Sequence, residues 1–128
     1  MNKRGKKILI VDDDAIVPEL LSKELKREGF VVLVAKDGRE GLEKIMSEKP
    51  DLLLLDMIMP IMSGTELLEE LKRQEILPGL SVIILTNLGN EIKSGKLLEY
   101  GIEKCIFKSS KSILEIVEEV KSILVEQS

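Results

Sequence analysis

Residues 52–60 read Leu-Leu-Leu-Leu-Asp-Met-Ile-Met-Pro, an apolar run with no alternation of polar and apolar residues. Neither face of such a segment is suited to water. A short apolar run bounded by breakers predicts a central strand covered on both faces. Lys49-Pro50-Asp51 starts it, and Pro60, which has no N–H for a ladder, ends it. The strand delivers Asp56 to its C-terminal end. In an open parallel sheet, the crevice beyond the strand C-termini is where ligands bind.

The rest of the chain repeats this plan. Residues 7–11 are apolar and β-branched, a first buried strand that ends on Asp12-Asp13-Asp14. One of these acids can cap the following helix and meet its positive N-terminus; the other two have no such role. Val17, Leu20, Leu21 and Leu25 mark that helix through residue 28, with Pro18 in its tolerant first turn and Gly29 as its stop. Residues 30–35 form a second strand, and Asp37-Gly38 turns the chain. Gly41, Leu42, Ile45 and Met46 mark a second helix. After the 52–60 stretch, Ser63 and Glu66 have the spacing of a capping box, followed by the apolar face Leu67, Leu68 and Leu71. Residues 81–86 are a fourth strand ending on Thr86. Ile92, Leu97 and Leu98 lie on a fourth helix diluted by Gly95 and ended by Gly101. Residues 103–107 are a fifth strand ending before Lys108, and Ser109 or Ser110 caps the last helix. That helix has the face Ile113, Ile116, Val117, Val120, Ile123 and Leu124, a 3.6-residue period. Strands alternating with helices at short spacing predict an α/β domain with a parallel sheet and helices on both faces.

Composition narrows the function. At 128 residues the chain is expected to be a single domain over 1–128, with no output domain. A net charge of -4, two Phe, one Tyr and no Trp give nucleic acid neither attraction nor stacking surface, and the basic start at Lys3, Arg4, Lys6 and Lys7 reads as a solvated terminus. No apolar run is long enough to span a bilayer and no signal-peptide pattern opens the chain. With a lone Cys, a reducing, cytoplasmic setting is expected. The absence of His removes His-based triads, His acid–base chemistry and His-ligated metal. Any metal must then sit on oxygen, which favours a hard cation such as Mg²⁺.

The strand ends supply a constellation. Asp12-Asp13 follow the first strand, Asp56 the third, Thr86 the fourth and Lys108 the fifth, all on one edge of the sheet. Carboxylates crowded within a few ångströms cannot all ionise without a cation. A hydroxyl and an ammonium aimed at the same place suit a phosphoryl group, and a carboxylate can itself be the nucleophile, forming an acyl phosphate. Asp56 is therefore expected to accept a phosphoryl group whose oxygens are neutralised by Mg²⁺, Thr86 and Lys108.

In these residues the chain resembles a response-regulator receiver domain of two-component signalling. The motifs are Ile-Leu-Ile-Val-Asp12-Asp13-Asp14, Pro50-Asp51-Leu-Leu-Leu-Leu-Asp56-Met-Ile-Met-Pro60 with Gly64, Val82-Ile-Ile-Leu-Thr86, and Gly101 before Lys108. The resemblance implies a flavodoxin-like, doubly wound fold with strand order 2-1-3-4-5. It implies Asp56 as phosphoacceptor, with Mg²⁺ on Asp12, Asp13, Asp56 and the backbone carbonyl of Ile58. The donor would be a phosphohistidine of a sensor histidine kinase or phosphotransfer protein. A downstream protein would be met through the face of the fourth helix, fifth strand and last helix, including Leu97, Tyr100 and Lys104, with a phosphorylation-dependent dimer as a further outcome.

Three positions depart from the family pattern. Asn87 stands after the Thr where a small residue is usual. Cys105 replaces an aromatic three residues before the Lys, and is expected to fill the core as a small hydrophobe. Ser109 follows the Lys in place of a Pro that is often cis. A cis bond before a non-proline costs about 3 kcal/mol, so a trans loop that re-aims Lys108 is expected. Ile58 and Leu88, two residues past Asp56 and Thr86, are apolar and cannot orient water, so the phosphoryl group is expected to be lost slowly. The chain is read as a signalling module rather than an enzyme. The alternatives are a binding-only receiver that does not switch and a Mg²⁺-dependent phosphohydrolase, which would need an acid–base carboxylate that Met57-Ile58-Met59 does not offer.

Overall fold

A computed structural model describes residues 5–87 and 99–125. The elements are β1 (Lys7–Val11), α1 (Ile16–Arg27), β2 (Val31–Ala35), α2 (Gly38–Glu48), β3 (Leu52–Leu55), α3 (Gly64–Arg73), a 3₁₀ turn (Leu77–Gly79), β4 (Ser81–Thr86), β5 (Ile102–Phe107) and α4 (Ile113–Leu124). The strands form one parallel sheet in the order β2-β1-β3-β4-β5. The fourth helix expected around Ile92, Gly95, Leu97 and Leu98 lies outside the described residues. Only its end is seen, with Glu99 and Tyr100 helical before Gly101 at φ +71°.

The absence of alternation in the strands has a direct structural counterpart. Successive residues point to opposite faces, and both faces are covered. Ile8, Ile10, Leu52, Leu54, Ile83 and Leu85 pack with Leu21 and Leu25 of α1 and with Ile116, Val117 and Val120 of α4. Leu9, Val11, Leu53, Leu55, Val82 and Ile84 pack on the other side with Ile45 of α2 and Leu67, Leu68 and Leu71 of α3. The four leucines of β3 thus divide equally between two apolar layers, and none is more than 1% exposed. Two helical residues assigned to apolar faces, Leu20 and Met46, are instead solvent-exposed; both helices bury a narrower stripe than the sequence suggested.

Chain turns follow local chemistry. Asp37 is the N-cap of α2, accepting from the Glu40 N–H at 2.8 Å, so the Asp37-Gly38 turn is also the helix start. Ser63 and Glu66 make the expected capping box on α3. The last helix is capped by neither Ser109 nor Ser110. Ser112 caps it, forming a capping box with Glu115. Asp51 accepts the Lys7 N–H at 2.7 Å and ties the start of β1 to that of β3, a purely structural role at the far end of the sheet.

β5 is an edge strand and differs from the rest. Its register against β4 jumps from Val82↔Ile102 to Ile83↔Lys104, so Glu103 is bulged out. Ile106 is its one fully buried residue. Cys105 is exposed, contrary to the expectation of a core position; the buried side chain of this strand is its neighbour Ile106, which points to the opposite face and packs in the layer with Ile116, Val117 and Val120 of α4. Tyr100, expected on the output face, is only 4% exposed and belongs to the α2/α3 layer, whereas Lys104 is exposed and pairs with Glu119 of α4.

Candidate functional site

The site lies where the strand order reverses, at the C-terminal ends of β1 and β3. These strands are neighbours in register, Val11 beside Leu55, so the next residue on each is an acid. The backbone continues the ladder beyond both: the Asp56 N–H donates to the Val11 carbonyl and the Asp12 N–H to the Ala35 carbonyl, each at 3.0 Å. Asp12 and Asp56 are therefore held by the sheet rather than by a loop. Asp12 is 2% and Asp56 8% exposed, while Asp13 is exposed.

The three adjacent acids differ in what they meet. Asp14 Oδ1 accepts the Ile16 N–H at 3.1 Å, at the start of α1. The Asp14 N–H donates to Asp12 Oδ1 at 2.9 Å and turns the Asp12 carboxylate inward. Asp12, Asp13 and Asp56 each bring a carboxylate oxygen within 4.8 Å of the others. These are the three that the resemblance implies for metal. The donor set is all carboxylate, and two of its three members, Asp12 and Asp56, are buried at the sheet edge. Such a set fits a hard divalent cation such as Mg²⁺.

Lys108 compensates part of this charge. Its ammonium is 2.6 Å from Asp12 Oδ2 and 3.5 Å from Asp56 Oδ2. Burial holds the Asp12 carboxyl above its ordinary range, and Lys108 opposes that rise only in part. Burial alone would lower the Lys108 pKa; the Asp12 carboxylate, with Asp56 and Asp14, outweighs it and keeps the ammonium above its usual range. The peptide bonds of the described residues are all trans, so the Lys108–Ser109 bond is trans as expected. It does not re-aim the lysine away from the acids.

Thr86 is the last residue of β4, 1% exposed and in register with Phe107. It stands at the same sheet edge, one strand from Asp56. The loop after Asp56 is tightly built. The Ile58 N–H approaches Asp56 Oδ1 at 3.4 Å, and the Met62 N–H donates to the Pro60 carbonyl at 2.7 Å around Ile61 at φ +69°. A β-branched residue at that φ is strained by about 1–2 kcal/mol, stored next to the acid. Ile58 and Ile61 are exposed there. Gly64 closes the loop, its N–H donating to the Met57 carbonyl at 3.0 Å. A Cβ at Gly64 would stand 2.5 Å from the Asp56 carbonyl oxygen.

Of the expected pocket modifiers, Leu88 lies outside the described residues, as does Leu97 of the expected output face. Asn87 and Ser109 are described and meet each other: the Ser109 N–H donates to Asn87 Oδ1 at 3.2 Å. No motif signals that contact. Cys105 is in register with Ile84, two residues before the end of β5.

A five-stranded parallel sheet of order 2-1-3-4-5 with acids at its switch point places the chain among flavodoxin-like α/β proteins. Residues 8–121 match the response regulator receiver domain, and the chain belongs to that family of two-component signalling proteins. It is 37% identical over 94% of its length to the alkaline phosphatase synthesis transcriptional regulatory protein PhoP of Bacillus subtilis, covering 49% of that protein. The chain spans about half the length of the curated relatives it matches. Among solved structures, it superposes on a CheY-like receiver domain protein from Methanospirillum hungatei with a TM-score of 0.84, at 36% identity over 96% of both chains. The response regulator TrrA from Thermotoga maritima, crystallised in complex with Mg²⁺-BeF, gives 0.77 at 34% identity, over 93% of this chain and 99% of that one.

Proposed function

We propose that this receiver domain is switched by phosphorylation of Asp56. The observation that carries this is the meeting of Asp12, Asp13 and Asp56 with the Lys108 ammonium at the sheet's switch point. An Asp56 oxygen attacks the phosphorus of a phosphohistidine on a histidine kinase or phosphotransfer protein. The new O–P bond forms as the P–N bond breaks, and the freed imidazole takes a proton. Lys108 is placed to neutralise oxygens of the transferred group, with Thr86 on the adjoining strand end. Asp12, Asp13 and Asp56, with the Ile58 carbonyl, would hold Mg²⁺, which when bound offsets the charge of the acids and of the phosphoryl group. The Mg²⁺-BeF complex of the Thermotoga relative supports this assignment.

The domain is a switch, not a turnover enzyme, and acts in the cytoplasm by changing its binding to a downstream protein. No helix of the described residues is long and apolar enough to cross a membrane. The phosphoryl group leaves slowly, since Ile58, 61% exposed beside the acid, offers no group to orient water. Purified phosphorylated protein with Mg²⁺ retains the adduct for minutes or longer by intact mass; a half-life of seconds would contradict this.

The decisive measurement is intact mass after incubation with acetyl phosphate and Mg²⁺. The expected result is one phosphoryl adduct in the wild type, absent in Asp56→Ala and absent when Mg²⁺ is chelated. No adduct, where a control receiver labels, would turn the reading to a binding-only receiver.

A further inference from the structure

We infer that Asn87 is a positioning residue for Lys108, acting through a hydrogen bond from the Ser109 N–H to its side-chain oxygen. The inference rests on the phosphoacceptor reading above. The backbone ladder between β4 and β5 ends where the Lys108 N–H donates to the Thr86 carbonyl at 3.0 Å. The next N–H along the chain, that of Ser109, has no further strand to meet. It finds Asn87 Oδ1 at 3.2 Å. The Asn87 side chain thus adds one more rung to the ladder, using an amide oxygen where the backbone has run out.

The rung matters because of what it holds. Phe107, Lys108, Ser109 and Ser110 form a turn closed by the Ser110 N–H on the Phe107 carbonyl at 3.0 Å. Lys108 is the second residue of that turn, and its ammonium reaches back to Asp12 Oδ2 at 2.6 Å and Asp56 Oδ2 at 3.5 Å. With both bonds in place, the turn is tied to β4 on either side of the Lys108 peptide. With one, it can pivot about the Thr86 bond. A four-carbon side chain loses considerable freedom to hold its charge at one point, so fixing its base reduces what remains to be ordered. Asn87 and Ser109 both depart from the receiver pattern, and here each supplies what the other needs: Ser109 brings an N–H that proline lacks, and Asn87 brings the acceptor.

Both groups are exposed, so water competes for the bond. A net hydrogen bond of this kind supports a change in rate of about three- to ten-fold. The test is the rate of Asp56 labelling by acetyl phosphate at saturating Mg²⁺, followed by intact mass, in a set of variants whose folding is checked by thermal unfolding. Asn87→Ala is expected to label about five-fold more slowly than wild type. Ser109→Pro removes the donor, so Asn87→Ala added to it is expected to slow labelling no further. In a Lys108→Ala background, Asn87→Ala is likewise expected to have no effect, because Asn87 acts only through that lysine. A merely structural role would still slow labelling there. Should Ser109→Pro fail to fold, the Lys108→Ala background carries the test alone.

Equal rates for wild type and Asn87→Ala overturn the inference and leave the phosphoacceptor reading intact. So does an Asn87→Ala effect that persists undiminished in the Lys108→Ala background. A wild type that takes no phosphoryl group overturns both.

Discussion

Lys108→Ala is expected to lower the stability of the Mg²⁺-free protein by about 3 kcal/mol at neutral pH, the low end for removing one member of a buried charge pair. At this chain length that corresponds to a fall in Tm of about 10 °C. The side chain of Lys108 is 11% exposed and that of Asp12 2%. Truncation leaves Asp12 and Asp56 facing each other beside Asp13 with no cation. Two further results are expected in the same thermal scans. Millimolar Mg²⁺ recovers most of the loss, because the divalent charge replaces the ammonium. The deficit against wild type also shrinks as pH falls from 7 toward 4. Burial holds the folded-state pKa of Asp12 above its unfolded value of 3.8, and removing Lys108 takes away an opposing influence. Proton binding to Asp12 therefore favours the folded state in that window, and it removes the uncompensated charge. The low pKa values of Glu115 and Glu119 pull the other way, but they are common to both proteins and drop out of the difference. A Lys108→Ala protein as stable as wild type in chelator at pH 7 would show that the ammonium is not what compensates the acids.

Gly64→Ala is expected to destabilise the protein by about 2 kcal/mol and to slow Asp56 labelling by about ten-fold or more. The added Cβ would stand 2.5 Å from the Asp56 carbonyl oxygen and 2.7 Å from Met57 Cα, both backbone atoms that cannot swing aside. Either α3 lifts away or the Asp56–Met57 peptide shifts. The second movement carries the carboxylate with it, and misplacement on the ångström scale is costly to a reaction that depends on alignment. The helix-forming preference of Ala over Gly recovers part of the stability, but not the geometry. Gly79→Ala is the control. A Cβ there meets nothing within 4 Å, and a change within about 0.5 kcal/mol is expected. Thermal unfolding and intact-mass kinetics on the two variants check both. Equal labelling by Gly64→Ala and wild type would mean that the loop yields without moving Asp56.

The sequence made the central strands plain because burial on both faces leaves no alternation to misread; β1 and β4 run over the expected residues. It made Asp56 plain for the same reason, an acid ending an otherwise apolar run. It was weaker where one side of an element is uncovered. In β5, Glu103 and Lys104 beside Cys105 were the available sign of an edge strand, and apolar flanks outweighed them. The cap of the last helix was missed although Ser112 and Glu115 carry the spacing that identified Ser63 and Glu66; two earlier serines lay closer to Lys108. Which acids of 12–14 face the site depended on Asp14 turning to the Ile16 N–H, a local bond with several equivalent alternatives in the sequence. The Asn87–Ser109 contact joins residues that only the parallel pairing of β4 and β5 brings together, and no periodicity or cap signature reports such a pair.

The position of β5 at the sheet margin makes the pocket mechanically lopsided. Asp12 and Asp56 ride on strands with a partner on each side and apolar layers above and below. Lys108 rides on a strand with one partner, a bulge and mostly solvated side chains. The pocket is a vice with one jaw bolted down and one free to travel. A group entering it cannot displace the acids at modest cost, so the work of accommodating it falls on the Lys108 side. Regions with few buried contacts are those that rearrange most cheaply. Under the proposed phosphorylation of Asp56, the margin of the sheet along β5 is the part of the pocket expected to yield first.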